Sequence, residues 1–117
     1  MAAVVAQRMN GYCLVSAKGR IDAAGSCTLE QVVRIAGLSR DKNVWVDCGA
    51  VTSISTEALR AVLSLSSRAE REGVALVFCQ LSPALKSALQ EAGMDRVLHI
   101  VPGIADAYRY CRQRDNG

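Results

Sequence analysis

Aromatic residues are scarce in this chain, with one Trp, one Phe and three Tyr among 117 residues. Binding of single-stranded nucleic acid by stacking needs several rings in series, so this scarcity argues against that ligand class. Histidine is scarcer still. His99 is the single example, set in the apolar stretch Val97-Leu98-His99-Ile100-Val101 with no nucleophile or metal-binding partner beside it. A strand histidine hydrogen-bonded to a neighbour accounts for it better than catalysis does. The G-x-x-x-x-G-K-[ST] phosphate loop and the dinucleotide fingerprint are both missing, so the chain is not expected to bind ATP by itself. No apolar run approaches membrane-spanning length, and the amino terminus lacks a charged segment followed by a long apolar one. A cytoplasmic protein without membrane insertion is expected.

The five cysteines, Cys13, Cys27, Cys48, Cys79 and Cys111, form an odd set with no C-x-x-C and no nearby His. Several sit in apolar runs, where a reduced Cys behaves as a small hydrophobe. This points to a reducing compartment and away from a metal site. A thiol sensor at Cys48 would need an electropositive setting, and no Lys or Arg is near it in sequence. The formal charge of +3 comes from scattered Lys and Arg, with a mild excess at Arg109, Arg112 and Arg114. That describes a solvated surface rather than a phosphate-tracking face, and no nucleic-acid partner is expected. The carboxylates Asp22, Asp47 and Glu57 each lie at or near an element end, where turn and cap roles outnumber acid–base pairs. Neither an enzyme nor a cofactor is indicated.

Half of the residues are apolar, which suffices for one compact core, and no linker or repeat divides residues 1–117. Residues 2–8 and 12–18 read as strands around Asn10-Gly11, a hairpin signal. From Asp22 to about Ala36, Leu29, Val32, Val33 and Ala36 recur at helical spacing, and Gly37 suits the helix end. Val44 to Cys48 is a strand apolar on both faces, which belongs in the middle of a sheet. Leu59, Val62, Leu63, Ser66 and Ala69 line one face of a helix from Thr56 to Glu72, and a strand from Val74 to Cys79 completes a β-α-β unit. Ser82-Pro83 opens a helix that carries Leu85, Ala88, Leu89 and Ala92 inward and stops at Gly93. Val97 to Val101 reads as a strand. Pro102 then opens a last helix to about Arg112, with Ile104, Ala107, Tyr108 and Cys111 inward. The fold expected is α/β, a single mixed β-sheet with helices in the order β-β-α-β-α-β-α-β-α.

The segment after Cys48 holds four hydroxyls, Thr52, Ser53, Ser55 and Thr56, in a turn that leads into a helix. A helix leaves its first N–H groups without partners, and a Ser or Thr cap satisfies one of them for about 1 kcal/mol. Physics favours that role for Ser55. One cap needs one hydroxyl, so Thr56, as first helical residue, stands at the positive end of the helix dipole. A phosphate there gains N–H contacts and dipole stabilisation without unfolding the domain.

The chain resembles a STAS domain of the bacterial anti-sigma factor antagonist type. The resemblance rests on Gly19-Arg20-Ile21-Asp22, the strand ending in Asp47 with its hydroxyl-rich turn to Thr56, and the helix around Leu59 to Leu63. It continues through Gly73 and its apolar strand, Leu81-Ser82-Pro83, and Ala92-Gly93-Met94-Asp95-Arg96-Val97. The family's switch motif reads Asp-Ser-x-Gly at the start of the second helix, with the Ser or Thr after Asp as phosphoacceptor. Here Ser55 stands at the Asp position, Thr56 at the acceptor and Ala58 at the Gly. Thr56 is therefore the transferred acceptor and Ser55 the second choice. Ala58 in place of Gly favours the helix by up to ~1 kcal/mol.

The resemblance implies partner switching. The unphosphorylated domain docks on a serine/threonine kinase anti-sigma factor through Asp22, Thr52, Ser53, Ser55, Thr56 and Glu57, which frees the kinase's target. Phosphorylation blocks docking, and a phosphatase restores it. The free chain is expected to be a monomer. The alternative is a structural STAS subunit bound to the ATPase of a lipid transporter.

Overall fold

The computed structural model describes residues 3–40 and 42–116, with side chains as far as Arg112. Residue 2 of the expected opening strand and the side chain of Arg114 lie outside the described residues. The elements are β1 (Ala3–Arg8), β2 (Cys13–Ile21), α1 (Ala23–Ala36), β3 (Asn43–Ile54), α2 (Thr56–Arg71), β4 (Ala75–Cys79), α3 (Pro83–Glu91), β5 (Ile100–Val101) and α4 (Ile104–Asn116). The expected order of elements holds throughout.

One five-stranded sheet runs β1-β2-β3-β4-β5, with β1 antiparallel to β2 and the other neighbours parallel. The mixed sheet follows from the connections. A short turn with Gly11 at φ +88° returns β1 onto β2, whereas α1, α2 and α3 act as crossovers between parallel strands. Alternation along β2 sends Cys13, Val15 and Ala17 into the main core. There they meet Leu29 and Val33 of α1, Val62 and Leu65 of α2, and Leu85 and Leu89 of α3. The opposite sheet face is covered by α4. On that side Trp45 is buried, its ring stacked on Tyr12 at 3.7 Å between centroids and its Nε1–H donating to Cys111 Sγ at 3.2 Å. Tyr108 contributes an edge-on contact to both rings while remaining 44% exposed.

The largest departure from expectation is β3. It does not stop at Cys48 but runs on to Ile54, 12 residues in all from Asn43. Its pairing with β2 advances by three residues against two between Asp47 and Ala50, and by two against one between Val51 and Ser53. Each shift is a β-bulge, one extra residue taken up by β3. At the second, β2 supplies Gly19 with φ +86°, a backbone that side-chain-bearing residues avoid. The bulges expose Gly49-Ala50 and Thr52-Ser53 in consecutive pairs and keep Val51 buried between them. Thr52 and Ser53 are thus strand residues, not part of a turn.

Three smaller corrections follow from packing. The buried stripe of α2 is Ala58, Val62, Leu65 and Ala69, while Leu63 is 38% exposed. Only Ile100 and Val101 form β5, because Val97 and Leu98 both donate their N–H to Met94 O in a turn that drives Met94 and Leu98 into the core. Finally, α4 begins at Ile104 rather than Pro102, with Asp106 Oδ2 accepting from Gly103 N–H at 3.1 Å.

Candidate functional site

The long β3 brings two helix starts together. Ile21, the last residue of β2, is the register partner of Ile54, the last of β3. Each strand then turns into a helix after a single residue, Asp22 for α1 and Ser55 for α2. The Ser55 N–H donates to Ile21 O at 2.9 Å and ties the two turns. Behind them, Glu30 of α1 pairs with Arg68 of α2 at 3.0 Å and with Arg34 at 2.8 Å, so the helices leave the rim side by side.

Both turn residues are caps. Ser55 has extended backbone angles, φ −80° and ψ 164°, and its Oγ accepts from Ala58 N–H at 3.1 Å. That is the N-cap geometry, and it commits the Ser55 hydroxyl to the helix. Asp22 does the same for α1, with Oδ1 accepting from Gly25 N–H at 2.9 Å. This hydrogen bond is the main reason its carboxyl titrates below the ordinary aspartate value, and Arg20 adds a smaller pull in the same direction.

Thr56 is the first residue of α2 and is exposed. Its side chain stands where the helix dipole is positive, beside first-turn N–H groups that have no intrahelical acceptor. One turn further on, Arg60 is exposed as well, followed by Leu63 and Ser67 on the same outward stripe. Glu57 is exposed in the first turn. The structure therefore brings Asp22, Ser55, Thr56 and Glu57 to one rim. Thr52 and Ser53 are exposed on the strand leading to it, with Ser53 opposite Arg20.

Other candidates separate from this rim. Asp47 lies seven residues before Ile54, roughly 23 Å along an extended strand, and its Oδ1 accepts from Gly49 N–H at 2.9 Å. It therefore does not meet Asp22 and Glu57 as a carboxylate cluster. His99 is exposed, with Nδ1 3.0 Å from the Tyr110 hydroxyl, the neighbour-bonded role expected for it, although it precedes β5 rather than lying within a strand. Cys48 is buried, and burial, with smaller contributions from Cys79 and Asp47, pushes its thiol up to about 12. A thiol so resistant to ionisation is a packing group, not a reactive one. Cys27 is the exposed cysteine. Among the described residues no cluster of three His, Cys, Asp or Glu is placed to hold a metal ion, and no helix is long and apolar enough to cross a membrane.

Sequence reasoning set Arg60 apart from the apolar face of α2 but placed Leu63 on that face, and named neither as part of the candidate site. The signal was available: the period of Ala58, Val62, Leu65 and Ala69 turns both residues to solvent.

A single mixed sheet with two capped helix starts on one rim defines an α/β domain, and comparison with known proteins gives it a family. The family model for the STAS domain matches residues 3–107, and the chain belongs to that family. Comparison with curated protein sequences finds no match. Among solved structures, an anti-sigma factor antagonist from Mycobacterium paratuberculosis superposes with a TM-score of 0.81 at 20% identity, over 96% of this chain and 95% of that one. A Ser-to-Glu variant of RsbS from Moorella thermoacetica gives 0.79 at 17% identity, over 97% and 98%. The murine anion transporter Slc26a9 gives 0.75 at 19% identity, over 96% of this chain but 22% of the transporter. These likenesses establish a shared fold.

Proposed function

We propose that the chain is an anti-sigma factor antagonist in a partner-switching pathway, with Thr56 as phosphoacceptor. The observation that carries this reading is the division of labour at the start of α2. Ser55 Oγ is held by Ala58 N–H at 3.1 Å, and the adjacent Thr56 hydroxyl is exposed beyond it. The matched solved antagonist superposes over nearly the full length of both chains, which supports a domain of the same type.

In its unphosphorylated form the domain docks on a serine/threonine kinase anti-sigma factor through Asp22, Thr52, Ser53, Ser55, Thr56 and Glu57. The outward stripe of Arg60 and Leu63 continues that surface. Phosphate on Thr56 adds about −1.5 to −2 charge in the centre of it. The helix N-terminus and Arg60 accommodate that charge within the domain, so the fold survives. The interface does not, because a dianion must be desolvated against the partner that bound the neutral hydroxyl. A phosphatase resets the switch. ATP and its metal belong to the kinase in this scheme, and the domain supplies a substrate hydroxyl and a surface.

The test is a binding comparison. Wild-type chain and Thr56→Glu are titrated into the purified kinase anti-sigma factor from the same organism, loaded with ADP, in a calorimeter. Wild type is expected to bind and Thr56→Glu to lose at least tenfold in affinity, about 1.4 kcal/mol. Equal affinities would remove the switch. Stable co-purification with a lipid-transporter ATPase, indifferent to Thr56→Glu, would put the structural-subunit reading in its place.

A further inference from the structure

The outer side of β1 is an open hydrogen-bonding edge. β1 pairs with β2 in an unshifted register, and no strand lies on its other side among the described residues. The turn bond from Met9 N–H to Tyr12 O, at 2.8 Å, sets the phase of the ladder. Hydrogen-bonded pairs alternate in an antiparallel ladder, so Ala3, Val5 and Gln7 bond to β2. The N–H and C=O groups of Val4, Ala6 and Arg8 consequently point away from the sheet.

Edges of this kind are normally blunted by proline, a bulge or several charges. β1 reads Ala-Val-Val-Ala-Gln-Arg, with one charge at its end and neither of the other devices. Apolar surface flanks it instead. Ala6 borders a groove of about 580 Å³ whose walls include Cys13, Val32, Ile35 and Leu38. Ile35 is 70% and Leu38 82% exposed at the carboxyl end of α1.

We propose that this edge joins a second copy of the chain, β1 against β1 antiparallel, making a continuous ten-stranded sheet about a two-fold axis at Ala6. A strand edge calls for a strand, and this one is self-complementary. With Ala6 opposite Ala6, Val4 stands opposite Arg8 and Val5 opposite Gln7. This register engages all three outward-facing residues at once. It places a small methyl group at the axis and keeps each guanidinium away from its twin, avoiding the like-charge opposition that destabilises strand pairs. The two-fold axis stands perpendicular to the sheet, so both α1 helices lie on the same face. Ile35 and Leu38 of one protomer then approach those of its partner across the groove.

This departs from the expectation of a free monomer and is independent of the switch. Asp22 caps the opposite end of α1, about 20 Å away for its 14 residues, so the rim with Thr56 stays clear of the axis. The test is light scattering coupled to size exclusion at roughly 100 µM and on dilution, a range suited to a micromolar equilibrium. Wild type is expected to elute with twice the chain mass, and Ala6→Arg with the mass of one chain and an unchanged circular dichroism spectrum. A single-chain mass for wild type at every concentration would overturn the proposal, as would a dimer that survives Ala6→Arg or that Leu63→Arg abolishes in its place. If Ala6→Arg fails to fold, hydrogen exchange of the wild type decides. Amides of Val4, Ala6 and Arg8 must gain protection with concentration, and equal exchange at all concentrations refutes the pairing. Either negative result leaves the reading of Thr56 intact.

Discussion

Substituting the two adjacent hydroxyls one at a time separates cap from acceptor without any partner protein. Ser55→Ala removes the oxygen that accepts from Ala58 N–H at 3.1 Å and leaves that donor without its partner in a half-buried position. Loss of an N-cap costs about 1 kcal/mol. Unfolding entropy of about 2.1 cal/mol/K per residue over 117 residues gives roughly 0.25 kcal/mol/K, so the midpoint is expected to fall by ~4 °C. Thr56→Ala removes no hydrogen bond of the cap and replaces a β-branched residue by the best helix former. Its expected effect is no loss, or a gain of up to ~0.7 kcal/mol. Thermal unfolding followed by circular dichroism measures both, with Ser55→Gly as a control that loses only a few tenths of a kcal/mol. If Thr56→Ala falls by ~4 °C and Ser55→Ala does not move, the roles are exchanged and Ser55 carries the accessible hydroxyl.

Three further outcomes are expected. Leu65→Ala should cost about 2–5 kcal/mol in urea unfolding and Leu63→Ala under roughly 1 kcal/mol; a reversal would mean that α2 is rotated on the sheet. Asp22 has a folded-state pKa below the ordinary value of 3.8, so its stabilising contribution is present above that value and is lost as pH falls through the lower folded one. The gap in urea midpoint between wild type and Asp22→Ala should therefore close in acid, and a gap independent of pH would contradict the capping carboxylate. Thiol titration of the native protein should modify Cys27 rapidly while Cys48, its thiol pushed up to about 12, stays protected until denaturant is added. Rapid modification of Cys48 would show that the main core between the sheet and its helices opens.

The order of elements was legible because each helix start carries its own chemistry. Ser82 caps α3 with its Oγ 3.2 Å from Leu85 N, and Pro83 follows it, as the residue types indicated. Ser55 likewise announced the start of α2. The continuation of β3 was hidden because a glycine after an apolar run reads as a turn, whereas inside a strand it also marks a bulge. Two bulges break the two-residue alternation twice in six residues, so Gly49 to Ser53 shows neither strand nor helix periodicity. Val97 to Val101 is as apolar as a strand, but Met94 and Leu98 are four apart and reach the core as one helical turn. Leu63 was misplaced because a row of closely spaced Leu residues fits more than one helical stripe; the sheet selects Leu65.

The site's residues were individually legible, but their meeting was not. Asp22 and Ser55 are 33 positions apart, and only the pairing of Ile21 with Ile54 sets their helices on one rim. That pairing depends on the same unseen bulges. The tertiary fact and the local irregularity are thus a single event: the extra residues in β3 carry the hydroxyl-bearing helix start out to where β2 ends.

The measurement that bears most directly on the account is tandem mass spectrometry of the chain after incubation with its kinase and ATP. The account predicts a gain of about 80 Da on the peptide spanning Ser55 to Arg60, localised to Thr56, present in Ser55→Ala and absent from Thr56→Ala. Phosphate localised to Ser55 in the wild type, or a Thr56→Ala chain phosphorylated as fully as wild type, would contradict it.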